Sequence, residues 1–290
     1  MDKRTIAIIG GDRRESVLAE QLRDQGYALS LWGLAVPGTP AKNTPLEAAR
    51  GAEAIILPMA GLQRDLTVPC QAGFTPAKLA EEFFTSLPGG LPIIIGRAGP
   101  ELRKLAAGAL LIEAGEDDEL AVLNSVPTAE GAIAIAMAQA PVTLHGSSAL
   151  VLGWGRCGAS LARMLGGIGA QVTVAARKAA HRARAQEMGF GTCHLAELPE
   201  RIGEQSFVFN TVPALLLGGE VLALAPRDLV IVDIASGGGT DFAEAARLGL
   251  TAVLAPGLPG KVAPVTAGKI LARVYPRLLE EQAGWRGRET

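Results

Sequence analysis

The chain is poor in the residues that build metal centres and disulfide frameworks. It has three cysteines and three histidines among 290 residues, and aromatic side chains make up only 4% of it. Cys70, Cys157 and Cys193 are far apart and odd in number, which fits neither the spacing of a metal site nor a set of paired disulfides. We therefore predict no metal, and a core packed mainly from aliphatic side chains.

The chain also lacks a strong charge of either sign and any long apolar run. A net charge of −2 gives no reason to expect nucleic acid or an anionic membrane as a partner. No apolar stretch approaches the roughly 18 residues of a membrane span. The basic start, Asp2–Arg4, precedes only a short apolar segment that ends at glycines, unlike a signal peptide. We predict a cytoplasmic protein.

Glycine, in contrast, is abundant, and its most informative use lies mid-chain. An apolar run ending at Leu152 leads into a GxGxxG sequence, a helical pattern and a second apolar run, Val172–Ala175. This order is the setting in which such glycines bind a dinucleotide: they allow a tight turn, a close approach to pyrophosphate and helix–strand packing. The alternative is that the glycines are only structural. The turn residues predicted to contact the cofactor are Gly153, Trp154, Gly155, Arg156, Cys157 and Gly158.

The end of the second apolar run indicates which cofactor is bound. NAD-binding domains usually place an acidic residue about 20 residues after the first glycine, where it holds the ribose 2′-hydroxyl. Here the corresponding residues are Ala176, Arg177 and Lys178, which offer two cations and no acid. Such cations suit a 2′-phosphate. We predict NADP(H), with NAD as an alternative; the competing interpretation is two solvated cations at a strand end.

The rest of the sequence alternates short apolar runs with helical patterns, which predicts parallel sheets covered by helices on both faces. We expect an α/β fold of two doubly wound parallel-sheet domains that face each other across a cleft. The C-terminal one is a Rossmann NAD(P)-binding domain. Residues 61–73 show no period and are interpreted as a loop. The expected divisions are a flavodoxin-like domain (1–123), an inter-domain helix (124–144), the Rossmann domain (145–265) and a helix returning to the first domain (266–290).

Loops at the carboxyl ends of parallel strands are where such folds bind ligands. Three loops of the second domain follow predicted strands in this way, although prolines and glycines often do no more than turn the chain. The residues predicted to line the nicotinamide side of the cofactor are Asn210, Thr211, Val212, Pro213, Asp233, Ala235 and Ser236.

Candidates for substrate binding and catalysis are fewer. Arg14 could form a fork with a substrate carboxylate, or pair with an acid on its own helix, and Asp12 is expected to cap that helix. Ser125 and Thr128 are placed at the start of the inter-domain helix, where hydroxyls and N–H groups suit a carboxylate. The candidate proton-transfer residues are Glu130, His145 and Lys261, and Lys261 is also a candidate for substrate binding.

Six motifs together resemble the dipicolinate synthase A subunits of spore-forming bacteria. The resemblance covers nearly the whole chain. It is carried by the following segments: Ile9–Glu15 (IGGDRRE), Asn124–Ile133 (NSVPTAEGAI), His145–Ser147 (HGS), Leu152–Gly158 (LGWGRCG), Asn210–Pro213 (NTVP) and Ala255–Gly268 (APGLPGKVAPVTAG).

This resemblance implies that the chain acts with the flavoprotein-like B subunit of dipicolinate synthase. The implied reaction is the nicotinamide-linked oxidation of dihydrodipicolinate, a small cyclic dicarboxylate, to dipicolinate. It also implies an oligomer in the mother-cell cytoplasm during sporulation. Two alternatives remain open: another NADP-linked dehydrogenase of amino or hydroxy acids, and a cofactor-binding scaffold that supports a catalytic partner.

Overall fold

The computed structural model describes residues 3–285 and divides the chain into two compact units. The first unit comprises the chain up to Leu123 together with the segment from Ala263 onward. The second unit is Asn124–Val262. Both units are built on parallel sheets with helices, as the sequence predicts.

The first unit contains a five-stranded parallel sheet. Its strands are β1 (Thr5–Ile9), β2 (Ala28–Trp32), β3 (Ala54–Ile56), β6 (Pro92–Ile95) and β7 (Leu110–Glu113). Their order, β2-β1-β3-β6-β7, is the flavodoxin-like order in which the chain reverses direction across the sheet between β1 and β3. Alternate residues of β1 enter different cores, since Ile6 and Ile8 pack on one face while Ala7 and Ile9 pack on the other.

Helices cover both faces of this sheet. They are α1 (Arg13–Asp24), α2 (Pro45–Ala49), α3 (Glu81–Thr85), α4 (Pro100–Leu105) and α12 (Pro264–Ala283). The last of them, α12, contributes Leu271, Tyr275 and Leu278 to the core beneath α1. It accounts for most of the C-terminal helix predicted over residues 266–290, of which residues 286–290 lie outside the described residues.

The segment interpreted from sequence as an irregular loop contains a short strand. β4 (Thr67–Val68) pairs antiparallel with β5 (Ala77–Lys78). Val68 is fully buried, and the Pro69 carbonyl accepts a hydrogen bond from the Gly11 amide at 2.7 Å. Residues 61–73 are therefore tied to the turn after β1, and a two-residue strand is too short to give a periodic pattern.

The second unit contains a six-stranded parallel sheet. Its strands are β8 (Ser148–Leu152), β9 (Gln171–Ala175), β10 (Gly191–Cys193), β11 (Phe207–Asn210), β12 (Val230–Asp233) and β13 (Thr251–Leu254). Their order, β10-β9-β8-β11-β12-β13, is the doubly wound order 3-2-1-4-5-6 of Rossmann domains. The helices are α6 (Arg156–Ile168), α7 (Ala179–Glu187), α8 (Leu198–Arg201), α9 (Gly219–Leu222), α10 (Phe242–Arg247) and α11 (Leu258–Val262).

One long helix, α5 (Asp118–Gln139), contains the boundary between the units. The predicted helix start near Ser125 is wrong, because the helix begins at Asp118, about two turns earlier. Just before it, the Asp117 carboxylate accepts a hydrogen bond from the Leu120 amide at 2.8 Å. Pro127, which in sequence favours a helix start, lies inside the helix. A proline inside a helix removes one backbone hydrogen bond, but the helix can continue beyond it, as α5 does here.

By length and composition alone, α5 is apolar enough to cross a membrane, contrary to the sequence-based expectation that no segment would be. In the fold, however, its residues Ala129, Ala132, Ile133 and Ala136 pack into the core of the second unit. A run of small and aliphatic residues is what such close helix packing requires, so the apolar composition of α5 has a structural explanation within the unit.

Candidate dinucleotide-binding site

The turn between β8 and α6 gives each of its three glycines a different physical role. Gly153 has a φ of +98°, and a Cβ placed there would lie 2.6 Å from Thr211 Oγ1. A Cβ at Gly158 would collide with the carbonyl oxygen of Gly153. A Cβ at Gly155, in contrast, would meet nothing within 4 Å. The first and third glycines are thus required by packing, whereas the second faces open space.

Open space at Gly155 lies directly at the start of α6. Gly155 is the N-cap of this 13-residue helix and offers no side chain to cap it. The first N–H groups of a helix carry a partial positive charge and bind phosphate oxygens well. A bare N-cap backbone with room beside it therefore fits a pyrophosphate, and packing alone gives no reason for a glycine at this position.

The remaining residues of the turn surround this position. Arg156 is exposed, and Trp154 is half-buried with its ring edge-on to Phe190 at a centroid distance of 6.0 Å. Burial raises the pKa of the Cys157 thiol, against a smaller opposing effect from Arg156. The thiol is therefore protonated at neutral pH, which excludes Cys157 as a reactive nucleophile.

The three residues predicted to lie near the ribose 2′-position of the cofactor follow directly after β9. Ala176 is buried, while Arg177 and Lys178 are exposed at the start of α7. The first turn of α7 contains no acidic residue. Sequence reasoning missed Arg182, whose Nη1 donates to the carbonyl oxygens of Ala176 and Arg177, both at 2.8 Å. Its place one turn into a cation-rich helix was the available signal.

On the predicted nicotinamide side, Thr211 connects two strands. Its amide and its hydroxyl both donate to the carbonyl oxygen of Leu152, at 3.1 and 2.8 Å. Asn210 holds the following residue, accepting from the Val212 amide at 3.0 Å and donating to the Val212 carbonyl at 3.1 Å. Thr211 and Val212 are thereby fixed against Gly153, and the next residue, Pro213, is exposed.

Asp233 differs from its predicted role as a cofactor contact. Its carboxylate is fully buried and accepts hydrogen bonds from four protein groups. These donors are Asn210 Nδ2 (3.1 Å), the Ala235 amide (3.1 Å), the Gly239 amide (2.7 Å) and Thr240 Oγ1 (2.8 Å). Because no lone pair faces solvent, Asp233 and Asn210 organise the loops rather than bind ligand through their side chains. Ala235 is buried and Ser236 exposed.

The structure contradicts the assignment of His145 as a catalytic residue at this site. His145 precedes β8, whereas the glycine turn follows it, so the two lie at opposite edges of the sheet. A five-residue strand separates these edges by about 17 Å. The imidazole Nδ1 is 2.9 Å from the carbonyl oxygen of Ile168, which indicates a structural role.

The hydroxyls predicted at a helix start are instead inside α5. Ser125 is 1% exposed, and its Oγ lies 2.6 Å from Ser160 Oγ on α6. Thr128 Oγ1 donates to the carbonyl of Asn124, one turn back, at 2.7 Å. Neither residue therefore lies beside the free N–H groups of a helix start, which were the expected binding groups for a carboxylate.

Glu130 and Lys261 lie on neighbouring helices of the second unit. Gly131 of α5 packs against Leu258 and Val262 of α11, where a Cβ would come within 3.1–3.2 Å of their side chains. Glu130 precedes that contact on α5 and Lys261 lies within α11, and both side chains are exposed. The structure thus brings together the helices that carry one candidate acid and one candidate cation.

In the first unit, Arg14 forms its fork within its own helix start. Its Nε and Nη2 reach the Asp12 carboxylate at 3.0 and 2.7 Å, and the residue is only 7% exposed. Asp12 caps α1, as expected, and Glu15 completes a capping box. The fork predicted for a substrate carboxylate is therefore occupied by Asp12.

Glu15 is almost completely buried beneath this pair. Its two oxygens accept hydrogen bonds from the amides of Asp12 and Met59, each at 2.8 Å, so it links the turns after β1 and β3. Burial raises the pKa of Glu15 to about 7, with Arg14 acting in the opposite direction. Burial likewise raises the pKa of the nearby Tyr275.

Within residues 3–285, no group of three or more His, Cys, Asp or Glu side chains could hold a metal ion. The chemistry of the candidate site thus comes from a glycine turn, an exposed cationic strand end and loops fixed by buried hydrogen bonds.

Both halves of the chain match known families. Residues 5–111 match the N-terminal domain of the dipicolinate synthase A subunit. Residues 128–247 match the NAD-binding domain of the D-isomer specific 2-hydroxyacid dehydrogenases. The second match agrees with the geometry of the glycine turn and identifies a nicotinamide dinucleotide as the cofactor class of an oxidoreductase-type domain.

Similar proteins extend the match over the whole chain. The dipicolinate synthase A subunit of Bacillus subtilis (strain 168) is 37% identical over 284 residues, which is 95% of this chain and 96% of that protein. The crystal structure of the corresponding protein from Bacillus halodurans has a TM-score of 0.90 at 34% identity, covering 96% of this chain and 98% of the other. That of the Bacillus subtilis protein has a TM-score of 0.89 at 35% identity, covering 99% of both. The chain therefore belongs to the family of dipicolinate synthase A subunits, as its motifs indicated.

Proposed function

We propose that this protein oxidises dihydrodipicolinate to dipicolinate with NADP⁺ as the hydride acceptor. The observation that carries the proposal is the bare, open N-cap at Gly155, at the start of α6, in a chain of this family. When bound, the cofactor supplies a nicotinamide ring that takes up the hydride from a ring C–H of the substrate. The product is an aromatic pyridine, so loss of hydride and proton is strongly favourable once the reacting atoms are aligned.

The protein's own residues have distinct tasks in this scheme. The N–H groups at Gly155 and the start of α6 hold the pyrophosphate. Thr211 and Val212, fixed by Asn210 and the Leu152 carbonyl, form a rigid wall for the nicotinamide. Rigid positioning is most of what is required, because no difficult bond has to be activated by the protein.

Preference for NADP⁺ rests on the residues that follow β9. Arg177 and Lys178 are exposed where an NAD-binding domain would usually present an acid, and neither forms an ion pair within residues 3–285. A guanidinium and an ammonium at this position attract a 2′-phosphate, whereas a 2′-hydroxyl gains little from them. We therefore expect tighter binding of NADP⁺ than of NAD⁺.

The substrate is a dicarboxylate that releases a proton along with its hydride. On the second unit, Lys261 is the proposed partner for a carboxylate and Glu130 the proposed proton acceptor, since their helices are adjacent and both side chains are exposed. Arg14, Ser125, Thr128 and His145 are not used in this scheme, because their polar groups are engaged in the fold as described above.

The flavoprotein-like B subunit of the synthase is the proposed partner, and the mother-cell cytoplasm of a sporulating bacterium the proposed location. The relatives are themselves subunits of a synthase, which supports a complex. The experiment is to mix the chain with NADP⁺ and dihydrodipicolinate, with and without the B subunit, and to follow reduced nicotinamide. Reduction in either mixture supports catalysis by this chain. Dipicolinate formed without reduction of the cofactor would instead favour a scaffold role.

A further inference from the structure

The segment after β9 is the most one-sidedly charged part of the second unit. Between Ala176 and Gln186 the chain carries four cationic side chains, a histidine and no acid. Two of these cations, Arg177 and Lys178, are exposed at the turn. A third, Arg184, is exposed and paired with Glu187 at 3.4 Å. The fourth, Arg182, is half-buried and makes different contacts.

Arg182 binds backbone carbonyl groups rather than an acidic side chain. Its Nη1 donates to the carbonyl oxygens of Ala176 and Arg177, at 2.8 Å each. Both carbonyls precede α7, which begins at Ala179, and within the described residues neither accepts a hydrogen bond from a backbone N–H group. Hydrogen bonds from a charged donor are about twice as strong as neutral ones, so one guanidinium fixes two consecutive peptide groups of the turn.

A fixed turn has a direct consequence for the exposed cations. Lys178 is the N-cap of α7, and no side chain forms the usual capping hydrogen bond there. On the other side, the Ala176 amide donates to the Cys193 carbonyl of β10 at 3.1 Å. Arg182 is thus the side-chain contact that completes the anchoring of residues 176–178 between β10 and α7.

We propose that Arg182 is a positioning residue for cofactor selection: by holding the carbonyls of Ala176 and Arg177, it fixes the direction in which Arg177 and Lys178 face the ribose 2′-position. The inference rests on the proposed preference for NADP⁺. Its charge also adds to the positive potential at the turn, but that part is shared with every nearby cation. Among the cations of the described residues, only Arg182 donates to the carbonyls of Ala176 and Arg177.

The test measures the affinities of the full chain for NADP⁺ and NAD⁺ by calorimetry in four proteins: wild type, Arg182→Ala, Arg182→Lys and Arg184→Ala. Arg184→Ala is the matched control, since it removes the same charge from the same helix without touching the turn. Loss of charge-assisted bonds that orient the phosphate-binding cations should weaken NADP⁺ binding about tenfold in Arg182→Ala and change NAD⁺ binding by no more than about twofold. Arg184→Ala should stay near wild type.

Arg182→Lys separates position from charge. An ammonium keeps the charge but lacks the planar fork, so it should restore only part of the NADP⁺-to-NAD⁺ affinity ratio. It also decides the question if Arg182→Ala fails to fold.

Several outcomes would contradict the proposal. An unchanged affinity ratio in Arg182→Ala or full restoration by Arg182→Lys would overturn the positioning role, as would equal losses in Arg182→Ala and Arg184→Ala. A wild-type protein that binds both cofactors equally would instead refute the proposed cofactor preference.

Discussion

Replacing either of two glycines in the same turn by alanine should produce opposite results. Gly155→Ala adds a methyl group that meets no protein atom within 4 Å, whereas Gly158→Ala adds one onto the carbonyl oxygen of Gly153. The backbone at Gly155, with φ −88° and ψ −169°, is accessible to alanine without strain. The first change should therefore affect ligand binding, and the second should affect the fold.

The magnitudes follow from these contacts. For Gly155→Ala we expect a loss of about 0.5–1 kcal/mol in the free energy of unfolding, because alanine is a poorer N-cap than glycine. The methyl group would hold a pyrophosphate away from the helix start, and losing even one charge-assisted hydrogen bond lowers affinity about tenfold to a hundredfold. For Gly158→Ala, overpacking between α6 and the turn should cost about 1–3 kcal/mol of stability.

The assay pairs calorimetric titration of NADP⁺ with urea unfolding of the same preparations. We expect Gly155→Ala to unfold nearly as wild type does and to bind the cofactor at least about tenfold more weakly. Gly158→Ala should unfold at a lower urea concentration. Wild-type affinity in a folded Gly155→Ala protein would refute the assignment of this turn as the phosphate site.

Three further changes test other parts of the structure. Burial raises the pKa of Glu15 to about 7, so the folded protein holds a proton that the unfolded protein releases near pH 4.5. The stability that this group contributes is complete below pH 4.5 and falls by about 3 kcal/mol as the pH rises through 7. Glu15→Gln should remove this pH dependence of the free energy of unfolding, measured with urea at pH 5–8. Asp233→Ala removes the acceptor of four buried hydrogen bonds and should cost about 3 kcal/mol or more in the same assay. A near-wild-type midpoint would contradict the role of Asp233 in organising the loops. His145→Ala should leave kcat/KM for the synthase reaction within about twofold of wild type, because the residue lies at the far edge of the sheet, about 17 Å from the glycine turn. A tenfold loss of kcat/KM would show that His145 takes part in catalysis.

Sequence patterns predict those parts of the fold in which local and long-range requirements agree. Most residues of β1, β2, β6 and β11 are apolar, as expected for the strands of a parallel sheet that is covered on both faces. The glycine turn is equally clear. Its first and third glycines are required by contacts with neighbouring backbone and with Thr211. These contacts fix the spacing between the glycines, which can therefore be recognised in the sequence.

Other features depend on contacts that no local pattern contains. Asn210 and Asp233 look like ligand-binding loop residues in sequence, but a register that pairs them across β11 and β12 uses up their hydrogen bonds. The sequence alone suggests that the Arg14 guanidinium is free to bind a ligand, because its pairing with Asp12 depends on side-chain geometry. The only sequence signal for Arg182 is its place in a cation-rich helix, because its partners are backbone carbonyls, which every residue has.

In the proposed reaction, this chain couples the oxidation of dihydrodipicolinate to the reduction of NADP⁺. The most direct measurement is the ratio of NADPH to dipicolinate formed from dihydrodipicolinate by the chain with the B subunit, corrected for spontaneous oxidation in a protein-free mixture. We expect equal amounts of the two products, and we expect Gly155→Ala to slow the formation of both together. Dipicolinate formed above the protein-free rate without NADPH, or at an unchanged rate in Gly155→Ala, would contradict this coupling.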